Sequence, residues 1–176
     1  MESDLKDKIF DRYFVDCEKA DNVCRELQID RAKLTKLSAQ IDIERSAEVK
    51  EMRRIRQLYN NKRGTDFKFS RFNEFYYWYI NQYSEQKGRC YYCKTEEKVI
   101  ARLFSEKYSS TKRPNRGQHL EVERRNSTVN DYSKSNCVLA CYFCNNDKSD
   151  IFSEQEYFEY LKDRKSFFEQ QYDSLK

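Results

Sequence analysis

Two cysteine pairs constrain this chain more than any other feature. Cys90 and Cys93 form one C-x-x-C, Cys141 and Cys144 form a second, and 47 residues lie between them. A C-x-x-C turn can aim two sulfurs at one cation, so two turns supply the four thiolates of a tetrahedral zinc site. One such pair alone would read equally well as a redox motif. Two pairs flanking a folded insert favour a structural zinc. That site would be closed, would contribute folding energy and would take no direct part in catalysis. Against seven cysteines the chain has a single histidine, His119. Cys137 is expected as a core thiol, and Cys17 and Cys24, which lack a chelating spacing, as buried thiols.

The insert between the pairs has a legible pattern. HLEVERR (119–125) alternates as a strand should, NSTVNDYSKS (126–135) is a polar turn, and NCVLAC (136–141) is a second strand. Together they predict a β-hairpin. CYFCNNDKSD then opens a helical turn. Ser153 and Glu156 have the spacing of a capping box, ahead of a last helix carrying Phe158, Leu161, Phe168, Tyr172 and Leu175. Residues 94–117, with Pro114 and Gly117, read as a polar, basic connection.

Upstream, apolar residues recur at helical spacing: Leu5, Ile9, Phe10, Tyr13, Phe14 and Cys17; Leu34, Leu37 and Ile41; Val49, Met52, Ile55 and Tyr59. Three short helices or one broken arm would fit. Residues 20–40 admit a helix-turn-helix, although plain helical packing or dimerisation explains the pattern better. A further helix, with Ser70 as N-cap, carries Phe72, Phe75, Tyr76, Tyr79, Ile80 and Tyr83. At that periodicity the aromatics read as core rather than as a base-stacking platform.

Charge narrows the function. Residues 1–49 carry a net −3, residues 50–134 a net +10 and residues 135–176 a net −3. The positive charge surrounds the hairpin and the first cysteine pair, which suits a phosphate-rich partner. Arg53, Arg54, Arg56, Lys62, Arg63, Arg116, Arg125 and Lys148 are the candidate DNA contacts. Aromatics at 15% exclude a disordered chain, and three glycines with one proline exclude collagen-like classes. No stretch has the roughly 20 apolar residues of a membrane span. The charged N-terminus does not read as a signal peptide. The expected setting is therefore the reducing cytoplasm, without membrane partners, where paired cysteines mean metal before disulfide.

Inside the expected zinc frame stand L-E-V-E-R, then Asn136, then C-x-x-C-N-N-D-K-S-D. This set resembles the HNH endonucleases, the ββα-metal nucleases. Their usual pattern is an Asp-His pair ending the first strand, an Asn before the second, and a His or Asn on the following helix. The likeness is strongest to the zinc-bound restriction enzymes of the family and covers about residues 62–152. It rests on the run RG…H…V-(acid)-R…YS…N…LAC-x-x-CN…KS…IFS.

The resemblance implies a zinc-stabilised ββα-metal (HNH) core at 61–152; with the helical N-terminal arm read at 1–60 and the C-terminal helix at 153–176, the expected fold is α+β. It implies a metal-dependent endonuclease that hydrolyses DNA phosphodiester bonds, with the arm serving target contact or dimerisation. Full likeness to the restriction enzymes would make it a homodimer cutting double-stranded DNA at a palindrome. Glu123 stands where the family has its metal-binding Asp, and Arg124 where it has the general-base His. Asn136 stands at the middle Asn, and Asn145 at the third signature position, a metal ligand. Glu123 and Asn145 would hold magnesium or manganese, hard cations that accept oxygen ligands.

Two departures matter. Glu123 is one methylene longer than Asp. Arg124 stays protonated near neutral pH, so it can clamp phosphate but cannot act as an ordinary base. His119, the one imidazole, lies four residues before Glu123, about 13 Å away along a regular strand. A structural or phosphate-contacting role suits it better than general base. A metal-bound hydroxide or one of Tyr91, Tyr92 and Tyr142 remains for water activation. The rival reading is a catalytically inactive, zinc-stabilised nucleic-acid-binding module. A redox protein is a third, but gives no reason for the basic middle.

Overall fold

The computed structural model describes residues 2–64, 66–107, 117–162 and 173–174. The chain divides into two units, Met1–Gly64 with Phe69–Tyr77, and Thr65–Lys68 with Trp78–Lys176.

The first unit is helical. α1 (Glu2–Ile9) runs on as a π-helical turn (Phe10–Val15), followed by α2 (Ala20–Leu27), α3 (Arg31–Glu44) and α4 (Ser46–Lys62). α3 packs on α1, α2 and α4. Its core is built from the apolar repeats of the sequence: Ile9, Leu34, Leu37, Ile41, Val49, Met52 and Ile55 are all buried. Asp30 caps α3, its carboxylate accepting the Lys33 amide at 2.6 Å. The two expected buried thiols here are not buried. Cys17 is exposed, at the left-handed end of the π-helical segment, and Cys24 is only half-buried. Cys17 lies two residues past the π-helical segment, outside any helix, and Cys24 sits at the edge of the α2 stripe.

Helix α5 (Phe72–Glu85) starts in the first unit and ends in the second. Ser70 precedes it, its amide and hydroxyl both donating to the Glu74 carboxylate, at 3.1 and 3.0 Å. Phe75, Tyr76 and Tyr79 are buried, so these aromatics are core.

In the second unit, α6 (Glu97–Glu106) occupies part of the stretch expected as a connection. The signal was present: Val99, Ile100, Leu103 and Phe104 have helical spacing, and Ile100 and Leu103 are buried. Gly117 follows at φ +79, and a Cβ there would sit 2.4 Å from the Phe104 ring, so only glycine fits. The hairpin comes next, β1 (Glu121–Arg124) against antiparallel β2 (Cys137–Ala140), with Glu123 opposite Val138 and Arg124 opposite Cys137. α7 (Tyr142–Lys148) returns across the hairpin, and α8 (Glu154–Leu161) closes the unit behind its Ser153–Glu156 capping box. This is an α+β fold with a ββα core. Cys137 is buried, as a core thiol should be. Tyr157 of α8 packs edge-on to Tyr92, 5.0 Å between centroids. Pro114, Arg116, Phe168, Tyr172 and Leu175 lie outside the described residues. No helix among the described residues is long and apolar enough to cross a membrane.

Candidate functional site

The two C-x-x-C turns meet. The sulfurs of Cys90, Cys93, Cys141 and Cys144 are buried and all lie within 4.8 Å of one another, with Cys93 and Cys141 at 3.9 Å. A tetrahedron of sulfurs around zinc at about 2.3 Å has edges of about 3.8 Å, so the cluster has the size as well as the chemistry for that ion.

Backbone geometry presents the sulfurs. The Cys141 amide donates to the Cys90 sulfur at 3.2 Å, and the Cys144 amide to the Cys141 sulfur at 3.5 Å. The second contact is also the N-cap of α7, so the cysteine cluster and the helix start are one structure. The sulfurs perturb each other. Hydrogen bonds from Cys141, Cys144 and Cys90 hold the Cys93 thiol below its ordinary value. Cys141 is pushed above its own by Cys144, Cys90 and Cys93. Four thiolates this close repel unless a divalent cation joins them.

The first turn docks on the outer edge of β2. The Tyr91 amide donates to the Leu139 carbonyl at 2.9 Å. The Gln86 side chain imitates a third strand, donating to Leu139 O at 2.8 Å and accepting the Leu139 amide at 3.0 Å. Sequence reasoning passed over Gln86, because nothing in a lone glutamine at a helix end announces a strand edge.

On the other side, β1 faces α7. Residues two apart on a strand share a face, as do residues three apart on a helix. Glu121 and Glu123 of β1 therefore meet Asn145 and Lys148 of α7 as two rungs. Asn145 Nδ2 donates to Glu121 Oε2 at 2.5 Å. Lys148 Nζ lies 3.5 Å from Glu123 Oε1 and donates to the Ser127 hydroxyl. Lys148 is 0% exposed and Glu123 6%. Lys148 was expected on phosphate at the surface; it is instead an interior cation. Burial pushes its ammonium below the usual lysine value, with the Glu123 carboxylate pulling the other way. Sequence reasoning missed Glu121 and Ser127. The alternation of L-E-V-E-R could have exposed Glu121, since it shares the face of Glu123.

The hairpin loop is pinned from within. Asn136 accepts the Asn126 amide at 2.9 Å and donates to the carbonyls of Asn126 and Asp131 at 3.1 and 2.8 Å. Arg124, at the end of β1, is half-buried. It donates to Asn130 Oδ1 at 2.5 Å and lies over the Tyr132 ring, 5.0 Å from its centroid. Asn130 in turn donates to Asp66. The guanidinium is thus held by two residues of one loop, Asn130 and Tyr132, rather than left free in solvent.

The remaining candidates are dispersed. His119 sits beside Glu97, Nδ1 3.4 Å from Oε1, while the other oxygen of Glu97 accepts the Leu120 amide at 2.7 Å. Arg125 makes a two-pronged pair with Glu154 at 2.7 and 2.8 Å. In the first unit, Arg53 pairs with Asp42 and Arg54 with Glu51. Arg56 donates to the Phe14 carbonyl and stacks on Phe72. Arg63 is exposed and Lys62 half-buried. Of the tyrosines considered for water activation, Tyr91 and Tyr92 are unsuited. Burial foremost, with the Glu154 carboxylate adding, raises both phenols above their ordinary value. Tyr142 is packed against Phe104 and Phe143.

A ββα hairpin–helix built on a buried four-cysteine cluster, with acidic residues on the first strand facing an asparagine on the helix, defines the HNH type of fold. Among solved structures, the chain is similar to the rare-cutting HNH restriction endonuclease PacI, at 26% identity and a TM-score of 0.51, covering 68% of this chain and 77% of that one. That likeness supports a nuclease-like function. No family model matches the chain, and no curated protein does.

Proposed function

We propose that this chain is a metal-dependent endonuclease of HNH type that hydrolyses phosphodiester bonds in double-stranded DNA. The observation that carries the reading is the pair of rungs between β1 and α7, Glu121 with Asn145 and Glu123 with Lys148, with Arg124 anchored at the strand end. The donor set is oxygen alone, two carboxylates and a carboxamide, which fits magnesium or manganese and not a second zinc. Glu123 and Asn145 would hold that ion. When bound, it supplies Lewis-acid polarisation of the phosphate and stabilises the leaving oxygen.

This chain's own side chains do the rest. Arg124, held by Asn130 and Tyr132, offers its planar fork to the scissile phosphate and to the charge that develops on it. Asn136 keeps the loop that carries those two residues in one shape. Lys148 sets the position of the Glu123 carboxylate from behind. The Cys141 sulfur caps the start of α7 and so fixes the place of Asn145, and a zinc held by the four cysteines would lock that cap. Cleavage of a defined palindrome by a homodimer is the finer form of the proposal.

One observation favours a second reading. Glu123 is buried against a lysine, which suits an inactive zinc-stabilised DNA-binding module as well as a metal ligand. Supercoiled plasmid separates the two. The nuclease nicks or linearises it with added magnesium or manganese and leaves it intact without. Binding without cleavage under any divalent ion would refute the enzyme and leave the module.

A further inference from the structure

The turn between α2 and α3 has a geometry that the cleavage site does not use. The two helices pack on each other and are joined by only Gln28, Ile29 and Asp30. Gln28 ends α2 in the left-handed conformation, φ 53 and ψ 45, which turns the chain sharply at one residue. Asp30 then caps α3 through the Lys33 amide. Val23 of α2 and Leu34, Leu37 and Ile41 of α3 are buried, with Cys24, Leu27 and Ile29 half-buried around them. Two helices, a three-residue turn and a shared core are the parts of a helix-turn-helix.

The outer face of α3 indicates what it meets. At about 100° per residue, Leu34, Leu37 and Ile41 point inward, and Ala32, Thr35, Lys36 and Ala39 point the opposite way, with Arg31 at the N-terminal edge. All five of these outer residues are exposed. Lys33 and Lys36 make no ion pair among the described residues, and Arg31 is tied only to Asp21 at the surface, 2.9 Å away. The first acidic residue within α3 is Asp42, and it is paired with Arg53. In its first two turns the face carries Arg31, Lys33 and Lys36 and no large apolar side chain; Glu2 and Leu5 of α1 and Asp30 line a cavity along its Lys33–Lys36 flank, and Ile43 is exposed further along. A protein partner would want large apolar anchors there. A DNA major groove, about 12 Å wide, wants small side chains that let the helix in and cationic donors that reach base edges or phosphate. Lysine and arginine suit guanine O6 and N7; the methyl groups of Ala32 and Thr35 suit thymine.

We infer that α2, the turn and α3 form a helix-turn-helix that places the N-terminal half of α3 in the major groove of double-stranded DNA. It would be a recognition element encoded apart from the ββα core. The inference rests on the reading of DNA as this chain's partner, but not on cleavage.

The test uses the full-length, zinc-loaded protein without added magnesium or manganese. A duplex is first selected from a random library by the unaltered protein. Affinity for it is then measured by fluorescence anisotropy across a salt series. Lys36→Ala and Ala32→Glu should each weaken binding at least tenfold and alter the sequence selected. Lys36→Ala should lower the slope of log affinity against log salt by about one. Lys8→Ala, a control at an exposed lysine of α1, should change neither. The inference is overturned if no duplex is selected. It is equally overturned if both α3 variants bind like the Lys8→Ala control with the same preferred sequence. The nuclease reading fails separately: plasmid left intact in magnesium refutes cleavage, whereas the α3 result does not depend on cleavage at all.

Discussion

Replacing Lys148 by methionine removes one charge from the interior and keeps most of its volume. Lys148 is fully enclosed, 3.5 Å from Glu123, and donates to the buried Ser127 hydroxyl. Methionine leaves the Glu123 carboxylate 6% exposed and takes away the Lys148 ammonium beside it. Breaking a buried pair from one side costs about 3–5 kcal/mol, because the surviving charge cannot be rehydrated. Removing both charges, with Glu123→Leu added, should return all but about 1–2 kcal/mol of that loss, because the pair's desolvation cost disappears with it. The two substitutions are then coupled by about 2 kcal/mol or more, far outside additivity. Two units and a metal cluster make a single unfolding transition unsafe to assume. The assay therefore follows the second unit alone, reading zinc release against urea with a chromophoric chelator. The expected order of midpoints is unaltered protein, then the double variant close behind, then Lys148→Met well below. A Lys148→Met midpoint equal to the unaltered one, or a double variant as weak as the sum of its parts, would refute the argument.

Two further outcomes follow from the same geometry. The purified protein should hold one zinc per chain, and Cys141→Ala should lose the zinc together with amide protection in α7, whose N-cap is that sulfur; no zinc, with all four thiols freely reactive in the native protein, would sink the cluster. The Arg125–Glu154 pair should give an acid-sensitive contribution. Arg125 holds the Glu154 carboxyl below its ordinary value of 4.5, so its stabilisation is complete above that pH and is lost as pH falls through the lowered folded value. A partly exposed pair is worth under about 1 kcal/mol, so Glu154→Gln should trail the unaltered protein by that much at pH 7 and match it in acid. A gap that widens in acid would reverse the sign.

The local patterns in the sequence were sufficient for most of the architecture. Alternation marked β1 and β2, C-x-x-C spacing marked the four sulfurs, and Ser153 with Glu156 marked the start of α8. The misses are contacts made across long stretches of chain. Nothing near Lys148 tells that residues 123 and 127 will enclose it, so a lysine on a short helix read as a surface phosphate contact. Gln86 reaches β2 from 53 residues away. Glu121 was legible in principle, because strand alternation put it on the face of Glu123, but the motif drew attention to only one of the two. α6 was lost for a different reason: its two buried residues, Ile100 and Leu103, sit in a stretch otherwise rich in charge. Cys17 and Cys24 show the limit of composition. A free thiol is usually buried, but here Cys17 falls in the turn after a helix and Cys24 at the edge of its helix stripe.

The central claim is that an oxygen-ligated divalent cation between Glu123 and Asn145 drives phosphodiester cleavage, while zinc only holds the frame. Its most direct test is the single-turnover rate of plasmid nicking in manganese for the unaltered protein, Glu123→Gln and Asn145→Ala, each verified to carry one zinc. The account predicts that both variants keep their zinc and lose at least about a hundredfold in rate. Variants that cut at the unaltered rate, or an unaltered protein that does not cut at all, would contradict it.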